Sequence, residues 1–99
     1  GNPDTIPPRK YSDAVLRRMA EISTSVLCEC PRHVADLIST LNSFETYSQD
    51  CLSKSGEDAR LHAYLTAVSG SARAMFEQAL ERVAAHENID LNEATGQRG

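Results

Sequence analysis

An all-α fold is predicted by three observations. Apolar residues recur at three- and four-residue spacing along two long stretches, capping chemistry stands ahead of each helical pattern, and no β-branched alternation runs over four residues or more. The short Ser25-Val26-Leu27 piece is too brief to change that reading. Ninety-nine residues with 40% apolar and 24% charged content make one small globular domain and exclude a multidomain enzyme.

The first ten residues hold three of the four prolines and no apolar period, so residues 1–10 are expected to be a disordered or extended arm. The first helix begins after Tyr11-Ser12-Asp13. Ser12 is its N-cap, Asp13 faces the positive end of the helix dipole, and Tyr11 can staple onto Leu16. Val15, Met19 and Ile22 then follow at helical spacing, and Ser23-Thr24-Ser25 ends the run.

A linker over residues 23–30 leads to Pro31, whose fixed φ and missing N–H suit the first helical position. From there Val34, Leu37, Ile38, Leu41, Phe44, Ser48, Cys51 and Leu52 trace one face, until Gly56 stops the helix. Ser55-Gly56-Glu57-Asp58 caps a third helix with the stripe Leu61, Leu65, Val68, Ala72, Met75, Phe76, Ala79, Leu80 and Val83, running to about Glu87. At 1.5 Å per residue it is a rod of roughly 40 Å. The connection is so short that the two long helices are expected to form an antiparallel hairpin. Ala63, Ala67, Gly70 and Ala74 make a small-residue edge on which the first helix or a second protomer is expected to lie. The domain is expected over residues 11–88, with a flexible tail at 89–99. So few folding residues support only a marginal core, which points to a partner surface and a helical-bundle homodimer.

Ten basic residues against fourteen acidic ones give −4, with no basic run, so this chain alone has no electrostatic footprint for DNA or an anionic membrane. No apolar stretch is long enough to span a bilayer, and the N-terminus lacks the pattern of a signal peptide. The expected location is the cytoplasm. The chain opens on Gly1 rather than Met, which suggests a tag scar and a piece of something longer.

Three cysteines in a reducing compartment do not make a disulfide framework. Cys28-Glu29-Cys30-Pro31-Arg32-His33 places two thiols and an imidazole within six residues, at a helix start whose dipole lowers thiol pKa. In a hairpin, residues 28–33 face roughly residues 79–86, which brings His86 near. Cys28, Cys30, His33 and His86 are therefore the candidate ligands for zinc or another thiophilic metal. The same corner also reads as a redox pair, with a low-pKa Cys30 resolved by Cys28. A third reading is structural, with Cys28 packing beside Leu27 and His33 capping the first turn. Cys51 faces Leu61 and His62 at the far end. It sits on the apolar stripe with no orienting third residue or oxyanion donor, so it reads as core rather than nucleophile. No phosphate loop, nucleophile elbow or His-Glu-x-x-His occurs, and no catalytic or cofactor-binding residue is assigned. The expected class is non-enzymatic.

Pro8-Arg9-Lys10-Tyr11-Ser12-Asp13, Cys28-Glu29-Cys30-Pro31-Arg32-His33-Val34-Ala35-Asp36-Leu37, Phe44-Glu45-Thr46-Tyr47-Ser48 and Ala79-Leu80-Glu81-Arg82-Val83-Ala84-Ala85-His86-Glu87 together resemble the C-terminal region of bacterial MerR-type transcriptional regulators, over about residues 8–88. The resemblance implies a regulatory module that senses an effector or metal and helps dimerise the protein. DNA contact would then belong to a separate N-terminal domain absent from this chain. A small-molecule effector would sit among core residues such as Leu41, Phe44, Leu65, Val68 and Met75. The resemblance carries over no DNA-binding residue.

Overall fold

Capping and periodicity produce three helices in the computed structural model, which describes residues 6–22, 28–51 and 56–91. They are α1 (Asp13–Ile22), α2 (Cys30–Cys51) and α3 (Gly56–His86), and no strand occurs among the described residues. Ser12 caps α1 as expected: its Oγ accepts the Val15 N–H at 3.2 Å, and its carbonyl accepts the Leu16 N–H at 3.1 Å. Pro31 lies in the first turn of α2 and is buried.

The end of α3 is closed by a device the apolar period does not reveal. Asn88 adopts φ 59°, the Asn88 N–H donates to the Ala85 carbonyl at 3.3 Å, and the Ile89 N–H donates to the Ala84 carbonyl at 2.8 Å. This is a Schellman cap with asparagine in the left-handed position. It turns Ile89 and Leu91 back onto the core. Residues 89–91, expected in the flexible tail, therefore belong with the packed part, and residues 92–99 lie outside the described residues.

α2 packs along α3, and α1 packs on α2. The apolar core is confined to the part of the molecule that α1 covers: Val15, Leu16, Met19, Ala35, Ile38, Leu80 and Ala84, flanked by Tyr11, Ile22, Val34 and Phe76. Residues 6–10 form neither helix nor strand. They run against the long helices, where Ile6 meets Gly70, so the small-residue edge of α3 receives the arm at that point rather than a helix.

The largest departure from the sequence reading is the rotation of both long helices. α2 buries Pro31, Ala35, Ile38, Asn42, Glu45, Ser48 and Cys51. Of the expected stripe, Leu37 and Phe44 are exposed and Val34 and Leu41 half-buried. α3 buries Thr66, Ser69, Gly70, Arg73, Glu77, Leu80 and Ala84. Leu61, Val68 and Met75 of its stripe are exposed, Met75 at 71%. Ile38, Ser48, Cys51 and Leu80 of the expected stripes are buried, but each helix also turns polar side chains inward and leaves large apolar ones of its stripe exposed, two on α2 and three on α3 among the described residues.

Candidate functional site

The inward polar row is organised around Arg73, which is 1% exposed. A guanidinium carries five N–H donors and no acceptor, and here all five are used. Nε donates to Glu45 Oε1 at 3.1 Å, and Nη1 donates to Glu77 Oε1 at 3.1 Å and to the Pro8 carbonyl at 3.0 Å. Nη2 donates to Glu45 Oε2 at 3.3 Å and to the Pro7 carbonyl. The second oxygen of Glu77 accepts the Lys10 N–H at 3.0 Å. Burial alone pulls the guanidinium pKa down, but Glu45 and Glu77 outweigh it and raise the pKa above its ordinary value, so Arg73 stays charged. One buried cation faces two buried carboxylates, and neutral backbone groups of the arm complete the shell.

More contacts fasten the arm at its edges. Arg9 Nη2 donates to the Asn42 carbonyl at 3.0 Å and to Thr46 Oγ1 at 2.6 Å. Tyr11 Oη donates to Glu81 Oε2 at 2.6 Å, and Lys10 Nζ reaches the same oxygen at 3.2 Å. Burial and then the Glu81 carboxylate push the Tyr11 phenol well above its usual range. The Tyr11 hydrogen bond, with Lys10 behind it and against the opposing effect of burial, lowers Glu81. Buried Asn42 and Ser48 lie on the same row of α2, with side-chain polar atoms that find no hydrogen-bond partner among the described residues.

The cysteine corner is a cleft of about 470 Å³ lined by Cys28, Cys30, Arg82, Val83, His86 and Glu87. It brings together three of the four expected metal ligands. His33 is exposed and does not line it. The described residues contain no group of three or more His, Cys, Asp or Glu side chains placed to hold a metal ion. The expected depression of Cys30 is reversed. The Cys28 thiol hydrogen-bonds to it and raises its pKa, with the Cys28 charge, burial and Glu87 acting in the same direction. The Cys30 N–H also donates to Cys28 Sγ at 3.4 Å, and all three cysteines are free.

At the other end of α2, Cys51 is buried and hydrogen-bonds to Tyr47, whose pKa is raised mainly by that bond. Tyr47 stacks with Phe44 at 6.4 Å between ring centroids and meets the His62 ring edge-on at the same distance. Phe44, Val68 and Met75 are exposed, and Leu41 and Leu65 are half-buried.

The sequence reading did not single out Arg73 or Glu77, and Glu45, read from the sequence with Asp50, Glu57 and Asp58 as part of a solvated acidic face around the turn, is buried because it pairs with the Arg73 guanidinium. The only signal was the i, i+4 spacing of Arg73 and Glu77, which ordinarily marks a solvated helix pair. No described helix is long and apolar enough to cross a membrane. No protein-family model, no curated protein and no solved structure matches the chain.

Proposed function

We propose that this chain is a non-catalytic regulatory module acting as a homodimer, the dimerisation and effector-sensing part of a cytoplasmic bacterial transcriptional regulator of the MerR type. One observation carries the dimer: the uncovered apolar face of the long helices. Leu37, Leu41 and Phe44 on α2 lie about 100° around the helix from its buried row, and on α3 Leu65 and Ala72 lie about 100–120°, Leu61 about 140°, Val68 about 160° and Met75 about 180° from theirs, turned the same way. The pairings of Tyr47 with His62, Glu45 with Arg73 and Cys30 with His86 fit an antiparallel hairpin. In that arrangement the same sense of rotation brings the α2 stripe together with Leu65 and Ala72 to one side, opposite the arm, with Val68 and Met75 continuing around the outer edge of α3.

That side has the area for a dimer. The molecule measures 47 × 26 × 21 Å, so its broad face accommodates the ~800 Å² per partner of a stable interface. The residues forming the two stripes carry no charge, so a second copy of the face satisfies it by two-fold pairing without complementary charges. Two hairpins joined this way make a four-helix bundle and supply the core that one chain lacks. The regulatory role rests on the Cys-Glu-Cys-Pro-Arg-His segment and its flanking matches. The net charge of −4 agrees with leaving DNA contact to another domain.

Sedimentation equilibrium tests the dimer. The parent is expected to associate in the micromolar range. Val68→Asp places a carboxylate in each half of the interface and is expected to weaken association at least ~100-fold, which is about 2.8 kcal/mol at 1.4 kcal/mol per decade. A parent that stays monomeric to hundreds of micromolar, or a Val68→Asp chain that dimerises as the parent does, refutes the reading.

A second reading, a metal- or redox-responsive thiol protein, is favoured by the cleft that gathers Cys28, Cys30 and His86. Protein purified without chelator and carrying stoichiometric zinc, lost in Cys28→Ser with Cys30→Ser, would establish it. Metal-free protein whose thiols resist mild oxidant would dismiss it.

A further inference from the structure

We propose that Arg73, Glu77 and Gly70 form a peptide-binding seat for an extended backbone, occupied by the chain's own segment Ile6–Tyr11, and that its occupancy is linked to association through the apolar face; the linkage rests on the dimer reading above. The chemistry of seat and occupant matches group by group. Proline has no N–H, so Pro7 and Pro8 present backbone acceptors alone, and they meet a buried guanidinium that has donors alone. Lys10 next presents a backbone N–H, and it meets the free oxygen of Glu77. At the end of the row Ile6 packs where α3 has no side chain. A Cβ on Gly70 would stand 2.5 Å from Ile6 Cγ2 and 3.0 Å from Glu45 Oε2. Glycine is needed here for the close approach of the arm. Two consecutive prolines also stiffen the segment in an extended form before it binds, which lowers the entropy lost on seating.

The linkage follows from where the seat is built. Glu45 follows Phe44 on α2, and Arg73 and Glu77 bracket Met75 and Phe76 on α3, so the residues that hold the arm alternate with those of the apolar stripe. When the arm leaves, two Arg73 donors and one Glu77 acceptor lose their partners inside the helix pair. Water must then take the arm's place against Arg73 and Glu77, and the helix pair loses the segment that is hydrogen-bonded to both α2 and α3. A seated arm and a fixed spacing of the two helices that carry the apolar stripes are therefore two aspects of one packed state. The segment that enters the domain at residue 6 is held or released together with the dimer.

The test uses the full chain and Gly70→Leu, which displaces the arm while improving helix propensity in α3. Gly70→Ala, adding only the Cβ, is the milder variant if the larger one does not fold by circular dichroism. Trypsin cleavage after Arg9 and Lys10, read by mass spectrometry, reports the arm, and sedimentation equilibrium reports association. The expected result is cleavage at least tenfold faster and a dimer dissociation constant at least tenfold higher in Gly70→Leu, with smaller shifts of the same sign in Gly70→Ala. An arm cut as slowly as in the parent overturns the seat. An arm that is freed while the dissociation constant stays within twofold overturns the linkage. A parent that is monomeric at every concentration removes the linkage by removing the dimer, and protection of Arg9 in that same sample shows that the dimer reading, not the seat, has failed.

Discussion

Replacing Arg73 by methionine tests whether the buried ion cluster is the keystone of the helix pair. Methionine keeps much of the side-chain volume and removes all five donors, leaving the Glu45 and Glu77 carboxylates buried without a counter-charge and the Pro7 and Pro8 carbonyls without their donor. Removing one partner from a buried ion pair costs ~3–5 kcal/mol, because the remaining charge is stranded away from water. A small domain sits near the lower end of the 5–15 kcal/mol range of native stability, so the loss is comparable to the whole. At 4–8 °C per kcal/mol for a domain of this size, the melting temperature is expected to fall by at least about 12 °C. The assay is urea and thermal unfolding followed by helical circular dichroism. Most of the cost is charge rather than shape, so adding Glu45→Gln and Glu77→Gln to Arg73→Met is expected to restore about 1–2 kcal/mol. An Arg73→Met chain melting within about 4 °C of the parent would refute the argument, as would a triple variant less stable than the single one.

Tyr11→Phe removes the Glu81 hydrogen bond and should change both pH limbs of stability. The Glu81 pKa lies below its ordinary 4.5 in the folded chain, so its contribution is present above that value and is lost as pH falls through the folded pKa. The Tyr11 pKa lies above its ordinary 10.0, so its contribution is complete below that value and fades as pH rises toward the folded pKa. Unfolding free energies measured from pH 3 to 11 should therefore show shallower acid and alkaline losses in Tyr11→Phe, and identical profiles would contradict the assignment. Timed alkylation with iodoacetamide and mass mapping should modify exposed Cys30 first and buried Cys51 only in denaturant. Because Cys28 raises the Cys30 pKa above 9.0, the Cys30 rate should still be climbing at that pH. A Cys30 rate already at its plateau at pH 7 would show a depressed thiol and revive redox chemistry at the corner.

The helices themselves were legible in the chain because their signals are local. Ser12 caps α1, Pro31 opens α2 and the three- to four-residue apolar period runs through α3, each acting within one or two turns of where it is read. The gathering of Cys28, Cys30 and His86 was legible too, since a short connection between two long helices sets which residues face one another. The inward face was legible only in part: Ile38, Ser48, Cys51 and Leu80 of the expected stripes are buried, but the polar residues that share their rows were not foreseen. An apolar stripe at helical spacing shows which side of a helix avoids water, but not whether the cover comes from the same chain or another. Leu37, Phe44, Val68 and Met75 take the same pattern either way. The Arg73–Glu77 pair looks like an ordinary surface pair at i, i+4 until Glu45, 28 residues away, and the carbonyls of Pro7 and Pro8, more than 60 residues away, close around it. By itself the sequence determined the helices and the starts of α1 and α2, through interactions a few residues long. The tertiary structure decided which face of each helix turned inward and that the arm belongs to the core. Both depend on contacts between distant segments, whose partners no local pattern encodes.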